Sequence, residues 1–110
     1  NNMLMLVFSG NNYKKVKYNS EKFFESILYL IKHQCGGEDI QSYSKSILGP
    51  NECSINRINS KYRWQVVIKD RYLDIKTIKN MVKYLCISKF DDIFDKDIQI
   101  SIEVNPNSYI

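Results

Sequence analysis

The sequence predicts an α+β fold, an antiparallel sheet covered on one face by two helices, with elements in the order β-α-β-β-α-β. Three observations carry that expectation. Residues Tyr62–Lys69 alternate, with Trp64, Val66 and Ile68 on one side and Arg63, Gln65, Val67 and Lys69 on the other, the period of a strand. Two stretches place apolar residues at helical spacing: Phe24, Ile27, Leu28 and Ile31, then Ile75, Ile78, Val82 and Leu85. Strand-like runs stand near both ends of the chain, at Met3–Phe8 and Ile98–Val104.

The elements follow in order. Met3–Phe8 reads as a buried strand closed by the turn residues Ser9-Gly10-Asn11-Asn12. Asn19 or Ser20 is expected to cap the first helix, and Gly36-Gly37 to stop it. A short second strand over Ser44–Leu48 is broken by Gly49-Pro50, and a polar loop from Asn51 to Ser60 leads to the Tyr62–Lys69 strand. The second helix is expected from about Leu73 to Ser88, with Lys76, Lys79 and Lys83 sharing its outer side. Asp91–Asp97 is an acidic connector, and the alternating strand Ile98–Val104 ends at Pro106. This is the ferredoxin-like, split-βαβ plan.

At 110 residues and 13.0 kDa, residues 1–110 are expected to form a single domain with a self-sufficient core. Hydrophobic content of 44% and charge of 25% are those of a globular protein rather than a disordered one. The longest apolar run, Met3–Phe8, is too short to span a membrane, and no secretory signal pattern is present. A start at Asn1 suggests a chain trimmed from something longer. Cys35, Cys53 and Cys86 are odd in number and lack paired spacing, so free thiols in a reducing compartment are expected, consistent with a cytoplasmic protein. His33, the lone histidine, is expected to meet the terminal carbonyls of its helix.

Motifs of catalysis are missing. There is no phosphate-binding Gly-x-x-x-x-Gly-Lys loop, no Gly-x-Gly-x-x-Gly and no Gly-x-Ser-x-Gly elbow. The acidic run Asp91, Asp92, Asp95 and Asp97 lacks the glycine and closing glutamate of a calcium loop. Ser9-Gly10-Asn11-Asn12 is a poor match to an acylphosphatase-like phosphate loop, and Tyr62–Lys69 lacks the signature of an RNA-recognition strand. No catalytic residue, metal ligand or cofactor site is assigned to this stretch.

Charge is unevenly spread. The chain carries a net +4, but Lys61 to Lys89 holds eight basic residues against Asp70 and Asp74, while Phe90 to Ile110 holds five acidic residues against Lys96. Such separation gives a directional field able to orient a polyanion. The plain alternative is a solvated helix face followed by an acidic loop.

Leu48-Gly49-Pro50, then Lys61-Tyr62-Arg63-Trp64-Gln65-Val66-Val67-Ile68-Lys69, then Ser101-Ile102-Glu103-Val104-Asn105-Pro106, resemble the C-terminal domain of the PriA family, the bacterial primosomal proteins N′. Glu103 and Asn105 stand where that family usually carries aspartates. The resemblance implies a piece of an ATP-dependent replication-restart DNA helicase whose ATP, magnesium and zinc sites lie upstream. It further implies a domain that binds forked or single-stranded DNA and lies beside the helicase core, where the acidic tail of single-stranded DNA-binding protein docks. In that setting Arg63, Lys69, Lys76, Lys79 and Lys83 are the expected DNA footprint, and Arg71 the expected receptor of the tail carboxylate. For Arg71 the alternative is a helix-entry arginine paired with Asp70 or Asp74. Trp64 reads as a core residue, with base stacking as its alternative. The fragment is expected to be monomeric. A different class also remains open, a stand-alone ferredoxin-like regulatory module binding a small anion or a protein.

Overall fold

Four strands form one antiparallel sheet in the computed structural model, which describes residues 2–34, 45–58, 60–70 and 74–105, the side chains of 34 and 54–58 excepted. The order across the sheet is β2-β3-β1-β4, from β1 (Met3–Gly10), β2 (Ile47–Ile58), β3 (Lys61–Lys69) and β4 (Gln99–Val104). Helix α1 (Tyr13–Gln34) joins β1 to β2. Between β3 and β4 run α2 (Ile75–Lys83), a π-helical turn (Tyr84–Ser88) and the short α3 (Phe90–Ile93). The result is the ferredoxin-like β-α-β-β-α-β plan.

The register explains the two faces. Leu4, Leu6 and Phe8 of β1 stand opposite Ile68, Val66 and Trp64 of β3. All six join Phe23, Ile27, Ile31, Ile78, Val82 and Leu85 in the main core. Alternate residues point away from the helices. There Met5, Val7, Val67 and Cys53 make a second, smaller buried cluster with Met3 beside it.

Three boundaries differ from the sequence reading. Helix α1 starts at Tyr13, and Asn19 and Ser20 are buried within it rather than capping it. Asn12 accepts from Lys15 N instead, and Asn19 is held between Lys15 O and Asp95. The early turns escaped notice because Val16 is their one fully buried apolar side chain. The core residue of the next turn is Phe23, while Phe24 and Leu28 are only partly buried.

The second difference is larger. Gly49-Pro50 does not end β2, and the segment read as a polar loop is strand through Ile58. The Gly49–Pro50 peptide is cis, Gly49 has φ 112°, and the pairing with β3 slips between Leu48 and Asn51 and again between Glu52 and Arg57. An edge strand tolerates proline and bulges because one side of its backbone has no ladder to serve.

Third, the second helix changes character at Tyr84. Asp74 caps α2, accepting from Thr77 N at 2.7 Å, and these bonds hold its carboxyl below the usual range. Continued α-helical winding would bring Lys89 under Leu85, four residues on. The π-helical turn, closed by Lys89 N donating to Tyr84 O, ends the helix first. The acidic connector is partly helical, as α3, and its Phe94 is buried against Phe8 and Phe90.

Candidate nucleic-acid interface

The alternation of β3 sends Arg63 and Lys69 to the sheet face away from the helices, both half-buried. Cys53 shares that face, where burial pushes its thiol up and the Arg63 charge opposes the shift. Lys76, Lys79 and Lys83 lie elsewhere. They are exposed on one side of α2, where Lys79 and Lys83 border Ile102 and Val104 of β4. The five residues expected to form the footprint are therefore two groups separated by the sheet. Arg71 and Cys35 lie outside the described residues, as do Gly36-Gly37, Ser44, Leu73 and Pro106. Asp70 and Asp74, considered as partners of Arg71, bond respectively to Asn2 and to Thr77 N.

The α2 group has the richer setting. Lys79 and Lys83 stand at the mouth of a cleft of about 300 Å³ whose walls include Leu4, Val82, Ile102 and Val104. Ile102 and Val104 are 43% and 46% exposed, because β4 is the sheet's edge and α2 does not reach over its end. A second cleft of about 570 Å³ continues past Ile102 to Ile100, Ile98, Cys86 and Phe90. Burial there pushes the Cys86 thiol up to about 12, which keeps it protonated and unreactive. Ammonium groups above an apolar floor suit an anionic ligand that also offers an apolar group.

Trp64 is a core residue, 9% exposed and opposite Phe8. Tyr13 meets it edge-on at 6.1 Å and Lys17 lies 5.8 Å from its ring centroid. Its indole N–H finds no acceptor among the described residues. Tyr13 also packs edge-on against Tyr62 and donates to Glu52, a bond that raises its own pKa.

The closing motif has a structural task. Asn105, in the left-handed region at φ 50°, accepts from Met3 N at 2.7 Å and donates to Asn2 Oδ1 at 3.0 Å. It thereby ties the end of β4 to the start of β1.

Sequence reasoning missed a third basic surface. Helix α1 carries Lys14, Lys15, Lys17, Lys22 and Lys32 against Glu21 and Glu25. Lys22 lies 4.8 Å from the centroid of Tyr18 and donates to Ile93 O at 2.7 Å. Lys15 pairs with Asp97 at 3.3 Å, an exposed contact of small energetic weight. A groove of about 410 Å³ separates α1 from the π-helical turn, with Tyr29, Tyr84, Glu25 and Lys89 at its rim and Leu30, Leu85 and Ile93 inside. His33, exposed near the end of α1, meets Tyr29 in a tilted ring contact with centroids 4.1 Å apart. The signal was the run Tyr13-Lys14-Lys15-Val16-Lys17-Tyr18, legible only once helix is known to begin there.

Among the described residues no three His, Cys, Asp or Glu side chains cluster as metal ligands, and no helix is long and apolar enough to cross a membrane. Asp95 and Asp97 of the acidic connector are engaged with Asn19 and Lys15.

Comparison with known proteins agrees with the fold. The family model of the primosomal protein N C-terminal domain matches residues 2–107. The chain is 33% identical over 82 residues to the replication restart protein PriA of Bacillus subtilis (strain 168), an alignment covering 74% of this chain and 9% of that protein. Among solved structures, the de novo designed protein Foldit4 superposes with a TM-score of 0.58 at 13% identity, covering 97% of this chain and 98% of that one. That last likeness concerns the fold alone.

Proposed function

The chain belongs to the family of primosomal protein N (PriA) C-terminal domains, and from that premise we propose that it is the DNA-binding and partner-docking domain of a replication-restart helicase. Residues 1–110 act as one domain of that longer chain in the bacterial cytoplasm. The domain contributes no catalysis. ATP-driven unwinding, with its magnesium and zinc, belongs to the helicase core upstream, against which the domain packs.

The observation that carries the reading is the exposed row of Lys76, Lys79 and Lys83 along one side of α2. Three ammonium groups on one rigid helix match a phosphate backbone without reading its sequence. Binding to forked and single-stranded DNA is expected to weaken steeply with salt. Replacing the three lysines together by Gln is expected to lower affinity and flatten the salt slope by about 3 if each meets one phosphate. A gel-shift series on single-stranded, duplex and forked DNA at several salt concentrations measures both. Unchanged affinity and slope would remove α2 from the site.

The apolar cleft beneath Lys79 and Lys83 favours a second role for the same edge. An acidic tail ending in an apolar residue, of the kind carried by single-stranded DNA-binding protein, can seat that residue between Ile102 and Val104 with its carboxylates on the lysines. Arg71 is retained as a further candidate for the terminal carboxylate. Tail-peptide binding by the full-length protein, compared with Lys79→Ala and with Arg71→Ala, tests the two positions separately.

A further inference from the structure

We infer that the face of α1 bearing Tyr18, Lys22 and Tyr29, with the groove between α1 and the π-helical turn, is a stacking track for the unpaired bases of single-stranded DNA. The inference rests on the DNA-binding reading above and adds a second site, on a different helix, with a different ligand preference.

Helical geometry brings the parts together. Tyr18 and Tyr29 are eleven residues apart, about three turns, so they emerge from the same side of α1 roughly 16 Å from one another. Both are strongly exposed, at 54% and 62%, and Tyr84 across the groove is 44% exposed. Large aromatic side chains so placed contribute little to a core. Two of the three carry a cation: Lys22 lies 4.8 Å from the Tyr18 centroid and Lys89 lies 5.9 Å from that of Tyr84. Tyrosine faces alternating with ammonium groups are the elements a single strand requires, since every base has a π-face and every linkage a charge.

The groove supplies the enclosed part of the track. Its volume of about 410 Å³ and its apolar interior of Leu30, Leu85 and Ile93 accept a planar base between Tyr29 and Tyr84. The π-helical turn begins at Tyr84, and the widened winding leaves that ring exposed while Leu85 is buried. Glu25 at the rim is the one carboxylate among the described residues lining the groove, and Asp92, outside that lining, stands 3.9 Å from Lys89 in an exposed ion pair that a phosphate can displace. Glu25 repels a phosphate, so the backbone is expected to follow Lys22 and Lys89, leaving that carboxylate to face the amino groups of bases.

The test uses the 110-residue chain and fluorescent oligodeoxynucleotides: a single-stranded oligo-dT, a duplex and a fork. The double variant Tyr29→Ala/Tyr84→Ala is expected to lose about tenfold or more in single-strand affinity and less than about twofold on duplex. Tyr29→Phe/Tyr84→Phe, which keeps both rings, is expected to retain single-strand binding, and Glu25→Gln to tighten it. The α2 triple-lysine variant separates this inference from the function proposed above. Single-strand loss in the tyrosine variant alone supports the stacking track and counts against α2, whereas loss in the lysine variant alone overturns the track and leaves α2 standing. Equal weakening of duplex and single strand by the alanine variant would overturn it. So would a self-associating parent chain that the same variant renders monomeric in light scattering, since the tyrosines would then seat a second copy. Thermal melts of each variant identify any loss of fold, and the phenylalanine pair keeps the comparison decisive if the alanine pair unfolds.

Discussion

The two edges of the sheet meet the same hazard by different means. An edge strand presents unpaired backbone groups to any passing chain. At one edge, β2 is irregular: it carries Gly49-Pro50, slips register twice against β3, and offers no even row for another strand to join. At the other, β4 is short and regular, pairs with β1 from Val104 to Gln99 without a slip, and leaves Ile102 and Val104 half-exposed beside Lys79 and Lys83. The bulged edge is guarded by its own geometry. The regular edge is guarded by charge, and charge can also recruit. On the function proposed above, this contrast assigns partner docking to β4 and leaves β2 as a structural margin.

The largest effect tests what supports the β2 side. Trp64 fills the core between Phe8 and Tyr13, and Trp64→Ala is expected to cost about 3–5 kcal/mol through the cavity it leaves. Trp64→Phe should cost much less, since it also removes an indole N–H that has no acceptor among the described residues. Denaturant melts of the two variants measure the difference. An unaltered melt for Trp64→Ala with lost DNA binding would make the tryptophan a stacking residue instead.

Next in size is the irregularity itself. At Gly49, φ 112° excludes ordinary side chains, and an added Cβ would stand 2.8 Å from Gln65 O. Gly49→Ala is expected to destabilise by about 1–3 kcal/mol from the backbone conformation alone, with the clash adding to it. Amide exchange should show the loss concentrated in the β2–β3 ladder while β1–β4 keeps its protection. Equal loss across all four strands would mean that the edges are not independent.

These two sites also show how far the sequence could be read. Trp64, Val66 and Ile68 were legible because a strand buried on one face must alternate. Residues 51–58 were not, because a bulged edge strand draws its pairing from backbone and leaves a polar sequence with no period to detect. Lys76, Lys79 and Lys83 were found because α2 has a strong apolar face against which to phase them. Tyr18 was missed because its phase depends on a helix start hidden in a lysine-rich stretch with one buried apolar residue, and Lys22 and Tyr29, though inside the expected helix, form no track until Tyr18 is known to share their face. Arg71 falls outside the described residues, so its expected role stands as sequence and resemblance leave it.

A smaller effect is expected where β4 ends. Asn105 accepts from Met3 N and donates to Asn2, and it adopts a left-handed conformation that asparagine tolerates better than most residues. Asn105→Ala removes both side-chain bonds at an exposed site and is expected to cost about 1 kcal/mol. Asn105→Asp keeps the acceptor for Met3 N and should recover most of that loss at neutral pH. A thermal shift series on the two variants decides whether the closing motif is a clasp between strands.

The smallest expected change in stability falls on the residues that carry most of the contrast. Ile102 and Val104 line the cleft under Lys79 and Lys83, yet both are more than two-fifths exposed and no strand among the described residues lies beyond them. Ile102→Thr and Val104→Thr keep the branched shape that a strand favours while replacing a methyl-bearing surface by a hydroxyl. Each should shift stability by only about 0.5 kcal/mol, the range of surface substitutions. Docking should respond out of proportion. A peptide whose apolar end sits in the cleft loses its floor, and the double variant is expected to weaken acidic-tail binding as strongly as Lys79→Ala does, with a smaller dependence on salt. Duplex DNA binding, assigned above to the lysines, should be unchanged. If the double variant binds the tail as the parent does, the apolar residues of β4 are not a docking floor and the regular edge is protected for no purpose beyond solubility.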